Sequence, residues 1–320
     1  MFSAANCTAS REINKNTMPE ATELDIDGRK VRVTNLAKIL YPASGFTKAQ
    51  LIDYYAQVAD VLLPHLAKRP VTLKRYPDGV EGEFFYEKNA PAHRPPWLKT
   101  APVWSDTRGG EIDYCLLNDR PSLVWAANLA SLELHPFLHR APRLTRPESV
   151  VFDLDPGPPA TIVECCVVAL ALRKLFATHN LNCLAKTSGS KGLQLYVPLN
   201  TATTYEKTKP FAQRIAELMR ASAPELVISQ MKRALRPGKV FIDWSQNDPH
   251  KTTVSVYSLR ARPTPTVSTP VTWAEVQKCA RTRDPEKLVF DSTAILRRVK
   301  RYGDLFAPML TLRQRLPKGL

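Results

Sequence analysis

Apolar residues in this chain follow two spacings, and the spacing changes from one segment to the next. Apolar positions three to four residues apart predict helices, whereas alternation of apolar and polar residues predicts half-buried strands. By these rules the segment 24–34, LDIDGRKVRVT, predicts a hairpin that turns at Asp-Gly. The segments 34–40 (TNLAKIL) and 47–66 both predict helices, and each opens on a threonine that can cap a helix.

Short strands and one more helix are predicted for the rest of the first half. The strands are VTLKRY, EFFYEK and IDYCLL, and the run 118–140 predicts a helix that passes into an extended segment. The segment 141–149, APRLTRPES, is rich in proline and arginine. Because such a composition interrupts regular structure, it marks the predicted boundary between two modules.

The second half of the chain predicts a more regular alternation of strands and helices. The predicted elements are strands at 150–155, 183–187, 193–198, 239–244 and 252–258, helices at 161–178 and 204–221, and a helical, basic region from 272 onward. Together the two halves predict an α/β (α+β) fold, in which an N-terminal α/β module packs on a second, two-layer module. The predicted boundaries are a disordered lead at 1–23, the two modules at 24–145 and 146–300, and a basic tail at 311–320.

The charge balance indicates a polyanionic partner. The 320 residues include 45 Lys and Arg against 30 Asp and Glu, which gives a net charge of +15 and a pI near 9.6. The hydrophobic fraction of 44% is ordinary for a globular protein. A basic surplus of this size is typical of proteins that bind nucleic acid.

Two other classes of protein are disfavoured. No stretch approaches the roughly 20 apolar residues that span a bilayer, and the first twenty residues lack the apolar centre of a secretory signal. We therefore expect a cytoplasmic protein with no membrane partner. The six cysteines form no C-x-x-C pair, so we expect buried free thiols instead of a zinc site or a disulfide framework.

Three aspartates follow apolar strands and are candidates for chemistry. Asp153 and Asp155 end the run SVVFDLD, and their i, i+2 spacing places both carboxylates on one face of a strand. Each then raises the pKa of the other unless a cation shares the site. Asp243 ends a second apolar strand, GKVFID, and would face the pair if the two strands were adjacent. Alone, D-x-D is also typical of a solvated strand end, so the prediction of a two-metal site depends on the combination.

A glycine-rich turn supplies a candidate phosphate site. In KTSGSKGLQLYVPL (186–199), Gly189 and Gly192 flank Ser190 and Lys191 between two predicted strands. Such a turn can aim N–H groups, a hydroxyl and an ammonium at phosphate oxygens, although an ordinary hairpin has the same composition. The spacing is not that of a Walker loop.

Cationic and aromatic residues extend the candidate site. The segment 251–262, KTTVSVYSLRAR, predicts a strand with Arg260 and Arg262 on one face, which suits a triphosphate, although a charged strand edge is the more frequent meaning of such a pair. Phe84 and Phe85 lie beside Lys88 in EFFYEKN. Aromatic side chains among cations can stack on unpaired bases, although two adjacent phenylalanines more often divide between core and boundary.

The order of these motifs resembles the archaeo-eukaryotic primase superfamily. It is most similar to the polymerase domain of bacterial ATP-dependent DNA ligase D and its stand-alone relatives. The similarity covers about residues 24–310, and it implies a primase-like fold with an RRM-like catalytic sheet in the second module. The matching motifs, in order, are TNLAKILYPASGFTK, EFFYEKN, LELHP, FDLDPG, SGSKGLQLY, LRPGKVFIDWSQN and KTTVSVYSLRAR.

The resemblance implies a role for each candidate residue. Asp153, Asp155 and Asp243 would bind two catalytic Mn²⁺ or Mg²⁺ ions. The incoming NTP or dNTP would be held by Ser188, Lys191, Lys251, Arg260 and Arg262, with His135 nearby. The DNA contacts would be Lys38 and Lys48 at the 5′-phosphate of a downstream strand, Phe84 and Phe85 at the template with Lys88 beside them, and Arg236 near the primer terminus.

One position departs from the family pattern. The family often has histidine, a phosphate-contacting residue, where this chain has Gln194. Glutamine can donate a hydrogen bond but carries no positive charge, so triphosphate affinity or metal preference is expected to differ.

The resemblance implies template-directed nucleotidyl transfer, in which short gaps or ends are filled during DNA double-strand-break repair by non-homologous end joining. A separate ATP-dependent DNA ligase and Ku are the expected partners, at the bacterial nucleoid. Two alternatives remain at this stage. A phosphatase of the haloacid-dehalogenase type also ends a strand in D-x-D, but its further motifs are missing. A non-catalytic module that bridges DNA ends would explain the positive charge, but it would not explain the three aspartates.

Overall fold

The computed structural model describes residues 21–317, which form a mixed α/β fold. The strands are β1 (Ala21–Ile26), β2 (Arg29–Thr34), β3 (Ile39–Tyr41), β4 (Phe46–Thr47), β5 (Pro70–Arg75), β6 (Phe85–Glu87), β7 (Thr100–Ser105), β8 (Gly110–Leu116), β9 (Ser131–Pro136), β10 (Ser149–Pro156), β11 (Leu184–Thr187), β12 (Leu193–Pro198), β13 (Val227–Ile228), β14 (Val240–Asp243) and β15 (Pro270–Val271). The helices are α1 (Lys48–Gln57), α2 (Ala59–Leu66), α3 (Arg120–Asn128), α4 (Ile162–Thr178), α5 (Tyr205–Ser222), α6 (Trp273–Thr282), α7 (Ser292–Tyr302) and α8 (Pro308–Thr311).

The first module is built on a five-stranded sheet in the order β6-β5-β8-β7, with β9 also paired to β5. The predicted hairpin is confirmed as β1 and β2, which pair antiparallel through a turn at Asp27 and Gly28, both at positive φ. The predicted capping threonine of α1 is confirmed as well, because Thr47 forms a reciprocal capping box with Gln50. The helix predicted over 47–66 is divided at Val58 into α1 and α2.

The second module is built on a six-stranded sheet in the order β13-β14-β10-β12-β11-β15. β10 lies in the middle and pairs antiparallel with β14 on one side and with β12 on the other. Helices α4 and α5 pack on this sheet, and the apolar side chains of sheet and helices share one core. The central strand that carries Asp153 and Asp155 is therefore fixed on both edges and packed against helices.

Two predicted elements are wrong. The segment 34–40 is not a helix, because Asn35 has a positive φ of 54° and the chain turns there before β3. The segment 252–258 is not a strand. Isolated backbone hydrogen bonds join it to the end of β9, and Tyr257 has a positive φ of 62°. The backbone of this alternating segment is therefore irregular.

The two modules share side chains across the predicted boundary. The core of the first module includes Tyr257, Val267, Ile295, Phe306 and Met309, which come from the C-terminal quarter of the chain. The segment after residue 250 therefore returns to the first module. This return is one reason why the candidate residues of 251–262 lie between the two sheets.

Several simple predictions can be compared with the structure. The predicted lead at 1–23 lies outside the described residues except for 21–23, which begin β1, and the last three residues of the predicted tail also lie outside. The five cysteines within 21–317 are buried free thiols, as predicted, and Cys7 lies outside this range. Among the described residues, no helix combines the length and the apolar character that crossing a bilayer requires.

A partly buried carboxylate anchors the returning C-terminal segment. Asp304 accepts hydrogen bonds from Tyr257 Oη (2.7 Å) and from the Phe306 amide (2.8 Å), and it lies 2.8 Å from His65 Nε2. Burial alone would raise the pKa of Asp304. The hydrogen bond and charge of His65 outweigh that effect and lower the pKa below its usual value.

We expect Asp304→Asn to lower the free energy of unfolding by about 1–3 kcal/mol at pH 7, because these hydrogen bonds lose a charged acceptor. Since folding lowers the pKa of Asp304, the wild-type advantage should be present above about pH 3.9 and should disappear as the pH falls through the lower folded pKa. Urea unfolding over a pH series measures both effects. Asp60→Asn, in an exposed ion pair with Arg120, is the control and should cost less than about 1 kcal/mol. A loss that does not depend on pH would contradict this account.

Candidate active site

The three aspartates meet where β10 and β14 pair. Asp153 lies directly opposite Asp243 in the antiparallel register, and Asp155 lies two residues further along β10. On its other side Asp153 is paired with Gln194 of β12. The sequence prediction that Asp243 faces the D-x-D pair across adjacent strands is confirmed by this register.

The environment of Asp153 disfavours a lone negative charge. Its pKa is raised, first by burial and then by the charge of Asp155, while a hydrogen bond from Gln194 offsets part of the shift. Burial and the charge of Asp243 likewise raise the pKa of Asp155, against the opposing charges of Arg236 and Arg260. Protein cations lie nearby, but they do not cancel the repulsion between the carboxylates.

The residues present fit a divalent cation. Asp153 Oδ1 is buried and has no hydrogen-bond partner, which is costly for a carboxylate oxygen unless another group binds it. Hard cations such as Mg²⁺ and Mn²⁺ prefer carboxylate oxygens. Within residues 21–317, however, no group of three or more His, Cys, Asp or Glu side chains is already close enough to hold an ion. The strand pairing brings the predicted ligands to one place without preassembling them.

Asp243 is held by its own turn. Its Oδ1 accepts hydrogen bonds from the amide (3.0 Å) and hydroxyl (2.6 Å) of Ser245, and its Oδ2 accepts one from Gln246 Nε2 (2.9 Å). Lys251 Nζ in turn donates to Ser245 Oγ at 2.6 Å. Lys251, one of the predicted triphosphate ligands, therefore also stabilises the turn that orients the third aspartate.

A cleft of about 430 Å³ opens beside Asp153 between the two modules. Several predicted nucleotide-binding residues line it together. The residues that line the cleft include Lys88, His135, Asp153, Gln194, Lys251 and Arg260, with Tyr86, Gln246 and His250 completing the walls. Lys88, predicted at the DNA, lines the same cleft as the predicted nucleotide-binding residues. Cations beside strand-end carboxylates can bind a polyphosphate, and metal ions held by the carboxylates would neutralise more of its charge.

Arg260 and Arg262 do not share a face as predicted, because the segment is not a strand. Arg260 lines the cleft and donates from Nη1 to the Ser188 carbonyl at 2.7 Å, whereas Arg262 is exposed to solvent. Arg260 Nε lies 3.3 Å from Glu133 Oε1, an ion-pair contact that lacks the geometry of a hydrogen bond.

Glu133 is a buried acid that the sequence analysis missed. It lies 2.8 Å from His135 Nε2 and accepts a hydrogen bond from the Ala261 amide. Burial would raise its pKa, but His135, Arg260 and Lys74 outweigh that effect and lower the pKa to about 2. The motif LELHP contained the signal, an acid among apolar residues two positions before a histidine.

The glycine-rich turn connects β11 to β12 as predicted. Ser188 Oγ accepts hydrogen bonds from the amides of Ser190 (3.2 Å) and Gly192 (3.1 Å), so this hydroxyl shapes the turn. Lys191 is exposed on the turn. A Cβ at position 192 would lie 2.1 Å from the Leu154 carbonyl oxygen. The turn therefore packs directly on the strand that carries the two aspartates.

Two of the predicted DNA contacts, Lys38 and Lys48, form a cationic site on the first module. Lys48 is 6% exposed, and burial, followed by the charges of Lys38 and Arg75, lowers its pKa to about 8. Lys38 pairs with Asp78 at 2.7 Å. Arg75 was not predicted as part of this site, although it lies within the predicted strand VTLKRY. Lys38 and Arg75 already pair with Asp78 and Glu87, and a further anion beside Lys48 would favour its charged form.

Phe84 and Phe85 are both exposed, at 49% and 44%. The general expectation that one of two adjacent phenylalanines enters the core does not hold here. Phe84 stacks on Tyr76 with ring centroids 5.3 Å apart, and Lys74 Nζ lies 4.1 Å from the centre of the Phe84 ring. An exposed aromatic platform among cations can stack on a nucleic-acid base.

Arg236 lies close to the D-x-D strand end. Its guanidinium stacks over Phe241 of β14 at 3.8 Å and donates to the Met231 carbonyl at 3.0 Å. Its carbonyl lies so near Gly157 that a Cβ there would approach within 2.1 Å. The segment around Arg236 is thereby fixed beside Asp155, and its charge favours the ionised form of that residue.

This fold, with strand-end carboxylates beside a cationic cleft, agrees with that of a primase-polymerase domain. The family model described as "LigD, primase-polymerase domain" matches residues 47–306, and the chain belongs to that family. The multifunctional non-homologous end joining protein LigD of Mycolicibacterium smegmatis is 43% identical over 282 residues, and the bifunctional LigD of Bacillus subtilis is 33% identical over 276 residues.

These matches cover 88% and 86% of this chain but only 36% and 43% of the two LigD proteins, so the chain spans less than half of their length. A solved structure, the polymerase domain from Mycobacterium tuberculosis Ligase D in complex with DNA, matches with a TM-score of 0.82 and 40% identity. That match covers 89% of this chain and 99% of the solved one. The predicted family and fold class are confirmed by these comparisons.

Gly192→Ala should destabilise the active site and the fold together. The added Cβ would overlap the Leu154 carbonyl oxygen, so the turn or β10 must shift, and we expect a loss of at least about 2 kcal/mol in the free energy of unfolding. Gly110→Ala is the matched control, because it has no neighbour within 4 Å and should change stability by less than about 1 kcal/mol. Urea unfolding followed by circular dichroism compares them, and equal stability of the two variants would contradict the close packing described.

Proposed function

We propose that this chain is a template-dependent nucleotidyltransferase that extends a primer 3′ end with NTPs or dNTPs across short gaps in DNA. The observation that supports this proposal most directly is the register of β10 and β14, which places Asp153 opposite Asp243 at the edge of a cationic cleft. Membership of the LigD primase-polymerase family supports this assignment. The end-bridging alternative does not account for a buried Asp153 oxygen without a partner.

In the proposed reaction the primer 3′-oxygen forms a bond to the α-phosphorus of the nucleotide, and pyrophosphate leaves. Asp153, Asp155 and Asp243 would hold Mn²⁺ or Mg²⁺, and the chemistry supplied there would be activation of the 3′-hydroxyl and neutralisation of phosphate charge. Lys251 and Arg260 line the cleft and would bind the triphosphate oxygens. Catalysis by the protein then consists mainly of positioning and electrostatic stabilisation.

The DNA would lie along the first module. Lys38, Lys48 and Arg75 would bind the 5′-phosphate of a downstream strand, and Phe84 and Phe85 would stack at the template. The DNA complex of the Mycobacterium tuberculosis polymerase domain and the net charge of +15 support this assignment. Ku and a separate ligase are partners predicted from the resemblance, and a role at DNA ends would place the protein at the nucleoid in the cytoplasm.

Asp153→Ala and Asp243→Ala should each reduce primer extension on a gapped duplex by at least about a thousandfold, because each removes an oxygen ligand from the proposed metal site. Extension of a labelled primer with each nucleotide type, in Mn²⁺ and in Mg²⁺, measures the effect. The control is Asp60→Asn, an exposed acid on α2 that should extend the primer at the wild-type rate. Near-normal extension by either alanine variant would contradict the assignment of these aspartates to the metal site.

Lys48→Gln should remove the preference for a gapped duplex with a 5′-phosphate over one with a 5′-hydroxyl. Loss of one charge-assisted hydrogen bond corresponds to roughly a tenfold change in affinity. Fluorescence anisotropy with both duplexes measures the ratio of dissociation constants. Lys207→Gln, an exposed lysine on α5, should retain the wild-type ratio. An unchanged ratio in Lys48→Gln would place the phosphate elsewhere.

A further inference from the structure

Beneath the cleft lies a buried lysine to which the proposed reaction assigns no role. Lys186 of β11 is only 1% exposed, and its Nζ donates to Gln194 Oε1 at 2.5 Å and to Ser268 Oγ at 2.7 Å. Both partners are neutral, and the ring of Tyr196 lies 5.6 Å away. Burial lowers the pKa of Lys186 well below its usual value, against the opposing charge of Asp153, so a lysine at this position requires a reason beyond packing.

The hydrogen bond from Lys186 determines which way the Gln194 amide points. Lys186 Nζ donates to the amide oxygen Oε1, so the amide nitrogen is left to donate elsewhere. The Nε2 group of Gln194 is then turned away from Lys186. Gln194 lies opposite Asp153 in the β10–β12 register and donates one hydrogen bond to that carboxylate. Because Gln194 also lines the cleft, the second N–H of Nε2 remains for a ligand there.

Lys186 also joins the phosphate turn to the segment behind it. Ser268, which accepts from Lys186, donates from Oγ to the Thr187 carbonyl at 2.9 Å. Thr266 Oγ1 donates to the Gly189 carbonyl at 2.7 Å. Lys186 is therefore bonded to Ser268 as well as to Gln194, and it keeps the Ser268 contact if the amide rotates.

We propose that Lys186 is a positioning residue for the triphosphate of the incoming nucleotide. Its hydrogen bond holds the Gln194 amide so that an N–H group faces the cleft. The family often has a histidine at the position of Gln194. Without this hydrogen bond the amide could rotate and present its oxygen to the cleft, and that oxygen would repel phosphate. This inference rests on the proposed function, because it assigns the phosphates of the same site.

Two variants distinguish the role of Lys186 in orienting the amide from the role of Gln194 as a hydrogen-bond donor. Lys186→Met keeps the approximate length of the side chain but removes the hydrogen bond, so the amide is free to rotate. Gln194→Glu keeps an acceptor for Lys186, which protects the fold, but it presents an oxygen to the cleft instead of N–H. The control is Lys174→Met, which changes an exposed lysine on α4.

The first measurement is equilibrium binding of fluorescent N-methylanthraniloyl-ATP in Mn²⁺ without primer, and the second is KM and kcat for single-nucleotide extension. We expect both Lys186→Met and Gln194→Glu to raise the dissociation constant and KM at least about tenfold, with a smaller change in kcat. Lys174→Met should match the wild type. Lys186→Arg, which again offers only donors, should restore part of the affinity.

Dissociation constants within twofold of wild type for Gln194→Glu and for folded Lys186→Met would overturn the inference. If Lys186→Met fails to fold, the Gln194→Glu result decides alone. The proposed function fails in a different way, because the wild-type protein itself would then neither bind the nucleotide nor extend the primer. Normal wild-type extension together with unaffected variants would refute only the role of Lys186.

Discussion

Repulsion among three carboxylates is the unfavourable interaction that the six-stranded sheet of the second module has to accommodate. The antiparallel pairing of β10 with β14 places Asp153 opposite Asp243, and the period of a strand brings Asp155 to the same end. The apolar core beneath the sheet holds this register, because a slip of one residue would turn the buried side chains outward. The favourable free energy of packing this core therefore keeps the three carboxylates close together, although their repulsion is unfavourable without cations.

The neighbouring elements depend on the same strand. The glycine-rich turn can approach β10 only because residue 192 is a glycine, and the segment that carries Arg236 can approach only because residue 157 is one. On the side of β12, Gln194 lies against Asp153, and Lys186 orients its amide. The irregular segment after residue 250 adds Lys251 and Arg260 from between the two modules. Donors and cations thus surround the acids at distances set by backbone packing.

Much of this arrangement could be predicted from the sequence, since strand-end acids and a glycine turn leave local patterns. The order of motifs also predicted the family. The failures have physical causes: 252–258 alternates like a strand but has no partner strand along its length, and 34–40 has helical spacing but turns at a residue with positive φ. Glu133 and Lys186 were missed because their importance depends on charges from distant parts of the chain, and spacing along the sequence does not encode those contacts.

Thermal unfolding of wild type and Asp155→Asn, in EDTA and in Mn²⁺, tests the central claim most directly. In EDTA the variant should be at least as stable as the wild type, because the substitution removes a like charge next to Asp153. Mn²⁺ should raise the melting temperature of the wild type and have little effect on the variant, since ligand binding to the folded state stabilises it. A variant that is less stable in EDTA, together with a wild type that does not respond to Mn²⁺, would contradict the account.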